Sequence, residues 1–403
     1  MSGLRERLRR LQSVPQPDPS PIQNPAPGFS VAERLRRLDP LRHRAANPCT
    51  PCEQDVAAEL GAEIVAPGVL LLERRHPLRR RHGRFRAADA PASMPALFPS
   101  PSTGAAGWAF IDTETSGLAG GTGTWAFVCG IGRFAGDDLL LRQWLLTRLD
   151  AEPVLLSLFA DCLNGVDLLI SYNGKSFDLP LLMTRFRLAG LHCPLEPLSH
   201  LDLLHPVRRA FATRWPNCRL ASVEQRLLGV QRGDDLPGAE APAAWLDWLR
   251  RGDAGRLAAV LRHNRLDLLS LAVLLPALAQ VEHDPAAYHA DLGTLARYRL
   301  RRGDAAGALT LLCKARPLLA PAERLLLAEL YRRQDDWDRA LALWEPLAQQ
   351  GDPVALEALA KFYEHRSVDL RRALALVRQL PPGPARKRRT QRLCRKLRIE
   401  RMQ

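Results

Sequence analysis

The chain has 403 residues, of which 46% are hydrophobic and 25% are charged, and its formal net charge is +14. This length predicts two or three domains, and the hydrophobic content is ample for packed cores. The basic start of the chain is not followed by an apolar stretch, so we expect no secretory leader. The longest apolar run, residues 268–281, is short and contains Pro276, which favours a buried helix over a membrane span.

Eight cysteines are scattered along the chain. This spacing does not indicate a disulfide framework and favours a reducing, cytoplasmic compartment. Cys49 and Cys52 form an isolated C-x-x-C pair. A structural zinc site needs four ligands, and the nearby His43, His76 and His82 have no regular spacing. Zinc at this pair therefore stays an open alternative.

Residues 1–48 are predicted to be a basic, proline-rich, flexible region. Two near copies of a short basic amphipathic helix, at 4–11 and 32–38, flank a linker rich in proline. Positive charge is also concentrated at 71–90 and at 381–403, which we expect to be a basic tail. Basic segments around an acidic centre suit a polyphosphate substrate. Solvated arginines that reflect genome composition are the alternative.

From residue 60 to residue 282 the pattern predicts an α/β domain. A hairpin at its start precedes three strands, and helices then alternate with strands, as in a mixed sheet flanked by helices. The expected strands are 63–65, 68–73, 107–113, 125–134, 138–146, 167–172 and 199–204. The expected helices are 152–164, 178–190, 205–213, 221–228, 241–250 and 254–279.

From residue 288 to residue 380 the pattern is wholly helical and repetitive. Tyrosine, aspartate and alanine each recur at intervals of 32 or 33 residues. The positions are Tyr298, Tyr331, Tyr363, Asp304, Asp336, Asp369, Ala308, Ala340 and Ala373. This period is close to the ~34-residue tetratricopeptide unit, so we predict stacked helix pairs with a protein-binding groove. A stabilising cap on the preceding domain is the alternative.

Acidic residues occur where predicted strands end. Asp112 and Glu114 follow the apolar run 108–111, and on a strand they point to one face. Asp178 follows another strand, and Asp267 lies on the last long helix of the α/β domain. Like charges on one face repel each other, and a cation between them relieves that repulsion. Four acids converging on hard divalent ions predict phosphodiester hydrolysis; for the Asp112–Glu114 pair alone, a solvated strand edge is the alternative.

Four phrases in this order resemble one nuclease family. They lie at 112–124, 172–178, 200–206 and 263–267. They resemble the DnaQ-like (DEDD) exonuclease superfamily of the ribonuclease H fold, and more closely the YprB-like ribonuclease-H-domain family. The resemblance covers about residues 60–280 and supports the strand order given above. It implies two Mg²⁺ or Mn²⁺ ions and 3′→5′ exonuclease action on a single-stranded nucleic acid end.

The resemblance also implies roles for the acids. Asp112 would bridge both ions, Glu114 and Asp267 would bind the ion that activates water, and Asp178 would act on the leaving-group side. His263 shares a helix face with Asp267 and is the candidate general base. The superfamily has either tyrosine with three intervening residues or histidine with four before the last acid. This chain has histidine with three, so Asn264 is an alternative for positioning water or substrate.

Four more residues are expected to contact the nucleic acid. Thr115 and Gly117 begin a glycine-rich loop that lacks the Lys-Ser/Thr of a nucleotide P-loop. Glycine there permits close backbone approach to a nucleic acid end, although a flexible hairpin turn is the alternative. Asn173 and Lys175 lie beside Asp178 and are candidates for contacts with phosphate or sugar. Lys175 as a solvated loop residue is the other interpretation.

One further acid, Asp202, lies between His200 and His205. The three together resemble a metal cluster, but an aspartate flanked by apolar residues here more often caps the following helix. We therefore leave all three out of the predicted metal site.

The sequence leaves two other functions open. A structure-selective endonuclease would use the same fold and the same acids. A non-catalytic scaffold would act through its helical repeats and would not need the acids. No residue distinguishes DNA from RNA as the substrate.

Overall fold

The structure is a computed structural model, and it describes residues 52–93, 104–117, 122–233 and 235–400. The predicted flexible region 1–48, Cys49 and the centre of the glycine-rich loop, 118–121, lie outside these ranges. The described residues belong to one compact unit.

Seven strands form one mixed sheet, which confirms the predicted fold class. Their order is β1-β2-β7-β6-β5-β8-β9. β5, β8 and β9 run parallel to one another, and the remaining neighbours are antiparallel. The strands are β1 Glu63–Ala66, β2 Val69–Pro77, β5 Trp108–Thr115, β6 Ala126–Ala135, β7 Asp138–Leu146, β8 Leu168–Ser171 and β9 Ser199–Asp202, and a separate hairpin contains β3 Arg81–His82 and β4 Phe85–Arg86.

Helices cover both faces of this sheet. They are α1 Glu53–Leu60, α2 Glu152–Asp161, α3 Asp178–Leu188, α4 Leu204–Phe211, α5 Leu220–Val223, α6 Ala241–Arg251 and α7 Leu257–His283. The single helix expected at 221–228 is divided, because α5 passes into a π-helix at Glu224–Leu228. The strand expected at 199–204 ends at Asp202, where α4 takes over.

The period-two pattern of the strands produces two apolar layers. On β5, Ala109 and Ile111 point to one face, which α2, α3 and α6 cover. Trp108 and Phe110 point to the other face, which α4 and α7 cover. Every residue of this run is buried, as expected of a central strand enclosed on both sides.

The long helix α7 is the centre of the second layer. It is long and apolar enough to cross a membrane, but 67% of its most apolar window is buried inside the fold. The prediction that residues 268–281 form a buried helix is therefore confirmed.

A run of helices follows, consistent with a helical repeat. Its helices are α8 Leu292–Arg301, α9 Ala305–Lys314, α10 Pro321–Arg333, α11 Trp337–Gln349, α12 Pro353–His365 and α13 Leu370–Gln379. The recurring aspartates cap α9, α11 and α13 by accepting hydrogen bonds from backbone N–H groups at Gly307, Arg339 and Arg372. The recurring alanines are fully buried, where a small side chain lets paired helices approach closely. The tetratricopeptide assignment and a protein partner stay predictions.

We revise the prediction of a basic tail at 381–403. Residues Pro384–Glu400 form a helix, α14, that packs on the preceding pair. Leu393 is fully buried, and Arg392 and Lys396 bind the carboxylate of Glu364 at 2.7–3.0 Å. The arginines of this segment therefore belong in part to the repeat itself.

Candidate active site

The structure brings the four predicted acids together near the end of β5. We call Asp112, Glu114, Asp178 and Asp267 the acid cluster. Burial raises the pKa of Asp112 well above its usual range, and the charges of Asp267, Asp178 and Glu114 raise it further. Burial, Asp267 and Asp178 raise the pKa of Glu114 in the same way. The cluster is therefore a set of crowded carboxylates whose charges repel one another.

Asn264 holds Asp112 in place from above the sheet. Its Nδ2 donates to Asp112 Oδ2 at 2.7 Å and to the Asp112 carbonyl at 3.1 Å. Its Oδ1 accepts from Gln143 Nε2 at 2.8 Å, and its side chain is fully buried. Gly130 makes this approach possible, because a Cβ there would lie 2.3 Å from Asn264 Oδ1. We therefore revise its predicted substrate contact and propose that Asn264 positions Asp112.

Asp178 is fixed by the strand that carries Asp112. Its Oδ1 accepts from Thr113 Oγ1 at 2.5 Å and from Thr113 N at 3.1 Å. Burial raises the pKa of Asp178, and these hydrogen bonds oppose that rise. Thr113 was not expected from the sequence, because a threonine between two strand acids points to the other face.

A cation from the protein lies inside this acidic region. Arg232 contacts Asp267, Glu224 and Asp235, with Nη2 at 2.5 Å from Glu224 Oε1 and Nη1 at 3.0 Å from Asp235 Oδ2. Its side chain is only 10% exposed. Sequence reasoning missed Arg232 and Asp235, because they lie in an irregular segment and meet α7 only in the tertiary fold.

His263 is oriented by the same segment. Its Nδ1 lies 2.8 Å from Asp235 Oδ2, and its Nε2 lies 3.9 Å from Asp267 Oδ2. Arg232 Nη1 also lies 3.3 Å from this Nδ1. A carboxylate only accepts and a guanidinium only donates, so the two contacts favour opposite tautomers of the ring. Nε2 is the ring nitrogen on the side of Asp267.

The loop after β8 is shaped by Asp202, which is 2% exposed. Asp202 accepts hydrogen bonds from the backbone N–H groups of Asn173 at 2.8 Å, Lys175 at 3.1 Å and Leu204 at 3.0 Å. The contact at Leu204 agrees with the predicted capping of α4. Asn173 adopts a left-handed φ of 66°, and the Lys175 side chain is exposed.

The other candidates have local partners. Thr115 Oγ1 donates to the Gly117 carbonyl at 2.9 Å, which forms the turn after β5. His200 Nε2 lies 2.8 Å from Ser171 Oγ, and burial lowers the pKa of His200 to about 4. His205 is exposed. Leaving His200 and His205 out of the metal set is consistent with these positions.

The acid cluster fits hard divalent cations by the chemistry of its donors, all of which are carboxylate oxygens. Two carboxylate oxygens nearby, Glu224 Oε2 and Asp235 Oδ1, are buried without a hydrogen-bond partner. Within the described ranges, however, no three His, Cys, Asp or Glu side chains form a ready-made metal-binding group. Arg232 holds Asp267 in this conformation, so ion binding would require Asp267 to release Arg232.

Comparison with known proteins agrees with the fold. The chain is 30% identical over 332 residues to the uncharacterized protein YprB of Bacillus subtilis (strain 168), covering 77% of this chain and 79% of YprB. The chain belongs to the YprB family. The model of the RNase_H superfamily matches residues 109–279, a range that contains all four members of the acid cluster. The similarity to YprB is longer than this match and so extends beyond the ribonuclease-H-like segment.

Proposed function

We propose that this protein is a metal-dependent nuclease, and specifically a 3′→5′ exonuclease that acts on a single-stranded nucleic acid end. The observation that carries the proposal is the acid cluster, in which four carboxylates from β5, α3 and α7 are held together at the cost of mutual repulsion. The ribonuclease H superfamily fold supports a nucleic-acid hydrolase. Phosphodiester hydrolysis needs the developing negative charge to be neutralised, and cations held by the acid cluster would do this. A cytoplasmic location stays a prediction.

Two Mg²⁺ or Mn²⁺ ions would be held by Asp112, Glu114, Asp178 and Asp267. When bound, such ions neutralise developing charge on phosphate and lower the pKa of water. Asn264 and Thr113 keep Asp112 and Asp178 in fixed orientations through the hydrogen bonds described above. This support limits the rearrangement needed at these two acids, whereas Asp267 must exchange Arg232 for the ion.

His263 is proposed to take the proton from the attacking water. Its Nε2 lies on the side of Asp267, and its Nδ1 lies closer to Asp235, at 2.8 Å, than to Arg232, at 3.3 Å. We propose that the closer Asp235 keeps a proton on Nδ1 and so acts as a positioning residue that leaves Nε2 free to accept one. Such supporting partners typically contribute a factor of about 10 to 100 in activity.

Asn173 and Lys175 are proposed to bind the substrate beside Asp178. Their backbone N–H groups are tied to Asp202, so the loop is fixed while the Lys175 side chain extends into solvent. A lysine at this position can pair with a phosphate near the scissile bond. Thr115 and Gly117, which form the turn after β5, are proposed to contact the terminal nucleotide.

The test is cleavage of end-labelled single-stranded DNA and RNA, linear and circular, with Mg²⁺ or Mn²⁺. We expect metal-dependent shortening of linear substrates by wild type and a loss of at least about 10³-fold in Asp112→Asn. Asp338→Asn, an exposed acid in the repeats, is the matched control and should retain full activity. Asp235→Asn should lower kcat about 10- to 100-fold and change the pH profile.

Each outcome separates the alternatives. Resistance of circles supports an exonuclease, whereas cleaved circles overturn the exonuclease in favour of an endonuclease. Activity that survives in Asp112→Asn points to a contaminating nuclease. No cleavage by the pure wild type on any substrate would favour a scaffold that acts through its repeats.

A further inference from the structure

A second charged feature lies on the same sheet face as the acid cluster. Arginines from β2, from the turn before β3 and from α7 line a groove of about 350 Å³. We call this the basic groove and define it by Arg74, Arg75, His76, Arg80, Arg81 and Arg265. Leu141, Leu266 and Leu269 supply apolar walls.

The sheet register gives its position relative to the acid cluster. Asp112 lies opposite Gly130, Gly130 opposite Gln143, and Gln143 opposite Leu72. Arg74 lies two residues further along β2 and so points to the same face as Leu72. Three strand spacings separate β5 from β2, which is about 14 Å. With the two-residue offset of about 7 Å along β2, Asp112 and Arg74 are separated by about 16 Å. At a rise of about 3.4 Å, this distance corresponds to at least about five stacked nucleotides.

The helix α7 connects the two sites. Asn264 contacts Asp112, and the next residue, Arg265, lines the basic groove. The acid cluster and the basic groove therefore lie on opposite flanks of one helix, across one rigid sheet face. A strand bound in the groove would have a fixed register relative to the acids.

The positive charge of the basic groove is poorly compensated. Arg75 lies 3.8 Å from Asp138, but within the described ranges Arg74, Arg80 and Arg265 have no carboxylate partner. The pKa of Arg265 is lowered by burial and then by the charges of Arg74 and Arg262. A bound anion would relieve this repulsion.

One buried ring nitrogen in the basic groove has no hydrogen-bond partner among the described residues. His76 Nε2 is buried without a hydrogen bond, whereas His82, its neighbour in the groove wall, is bound to Ser270 Oγ at 2.8 Å. An unsatisfied buried polar atom is costly unless a ligand satisfies it. Burial and then the charges of Arg80 and Arg265 lower the pKa of His76, so its environment already contains an excess of positive charge.

The lining also indicates which part of a nucleic acid the basic groove fits. Guanidinium groups match the oxygens of phosphate with two parallel hydrogen bonds. The lining contains arginine, histidine and leucine but no phenylalanine, tyrosine or tryptophan on which a base could stack. The chemistry is therefore that of backbone binding without reading of sequence.

We propose that the basic groove binds the phosphate backbone of the nucleic acid substrate at least about five nucleotides away from the acid cluster. This inference rests on the proposed function, because it assigns the groove to the same substrate. Binding in the basic groove would make the affinity for a nucleic acid depend on its length. A strand too short to reach from the acid cluster to the basic groove would bind no more tightly because of the groove.

The test compares Arg74→Gln/Arg80→Gln with Arg371→Gln/Arg378→Gln. All four arginines are exposed, so each pair removes two charges without opening the core, and melting curves check the fold. Binding of a labelled ten-nucleotide strand is measured by fluorescence anisotropy, without metal, over a salt series. We expect the groove pair to weaken binding about tenfold near 0.1 M salt and to reduce the salt slope by about 1.4. The control pair should leave both values close to wild type.

Cleavage gives the second readout. The groove pair should raise KM for a ten-nucleotide substrate and leave kcat unchanged, with no effect on a three-nucleotide substrate. If the groove pair and the control pair weaken binding equally, or if neither weakens it, the basic groove does not bind the substrate. Cleavage by wild type in the same experiment would still support the proposed nuclease. Groove-dependent binding without any cleavage by wild type would instead refute the nuclease and keep the groove.

Discussion

Two buried carboxylate sites in this protein have opposite electrostatics. Glu114 in the acid cluster is 7% exposed and Glu364 in the repeat is 3% exposed. Burial and neighbouring acids raise the pKa of Glu114. Burial also favours a higher pKa for Glu364, but hydrogen bonds from Arg392 and Lys396 outweigh it and lower the pKa to about 2. Burial alone therefore does not set the pKa of an acid, because the charges and hydrogen bonds of its neighbours determine the direction of the shift.

The difference separates stability from function. The cations around Glu364 come from α14, so this carboxylate joins the last helix to the repeat. The acid cluster receives one internal cation, Arg232, which it shares with Glu224 and Asp235. Acids that are buried without sufficient positive charge are costly to the fold and are characteristic of sites that bind a ligand. The following predictions test this contrast.

The largest effect is expected when the internal cation of the acidic region is removed. Arg232→Gln leaves Glu224, Asp235 and Asp267 without their shared partner, and removing one member of a buried ion pair costs about 3–5 kcal/mol. The free energy of unfolding from urea titration of the metal-free protein measures this loss. Added Mn²⁺ should restore more stability to the variant than it adds to wild type, because Asp267 no longer has to release Arg232.

Arg148→Gln is the matched control for this variant. Arg148 pairs with Asp150 at an exposed position, with side chains 57% and 68% exposed. Exposed pairs contribute at most about 1 kcal/mol. Equal losses in the two variants would show that Arg232 is no more than a surface cation.

A smaller effect of opposite sign is expected when the acid cluster loses charge. Asp112→Asn/Glu114→Gln should stabilise the metal-free protein at pH 7 by about 1–3 kcal/mol, the size of the penalty for a poorly compensated buried polar group. In wild type the folded-state pKa values of Asp112 and Glu114 are raised. The stability that these two groups contribute is therefore fully present below about pH 4, where both are neutral, and is lost as pH rises through the folded-state pKa values. The gain of the variant should therefore vanish below about pH 4, as urea titrations across pH would show.

The smallest effect is expected at Glu364. Glu364→Gln should lower stability at pH 7 by about 1–2 kcal/mol without changing cleavage, because it weakens the contact between α12 and α14. The lowered pKa means that this contribution is present above about pH 4.5 and is lost as pH falls towards about 2. Glu357→Gln, whose side chain is 47% exposed and pairs with Lys361 and Arg389, should change stability by less than about 1 kcal/mol. A larger loss at Glu357 than at Glu364 would contradict the contrast.

The sequence by itself predicted the elements, and the four acids as a site stay a prediction. Strand alternation around Asp112 and Glu114 has a period of two, and the recurring aspartates and alanines of the repeat have a period of 32 or 33. The first pattern depends on neighbouring residues of one strand, and the second depends on the repetition of similar helical units. The run of helices follows from them, whereas the prediction of the mixed sheet also rested on the family resemblance.

The tertiary structure alone decided how the acids are supported and what compensates them. Arg232 meets Asp267 from 35 residues away, and Asn264 meets Asp112 from 152 residues away. No periodicity connects such residues, because their proximity depends on how α7 crosses the sheet. The same is true of the basic groove, in which Arg74 and Arg265 come from distant segments. Helix α14 likewise looked like a charged tail in sequence, because the buried Glu364 that binds its cations lies on another helix.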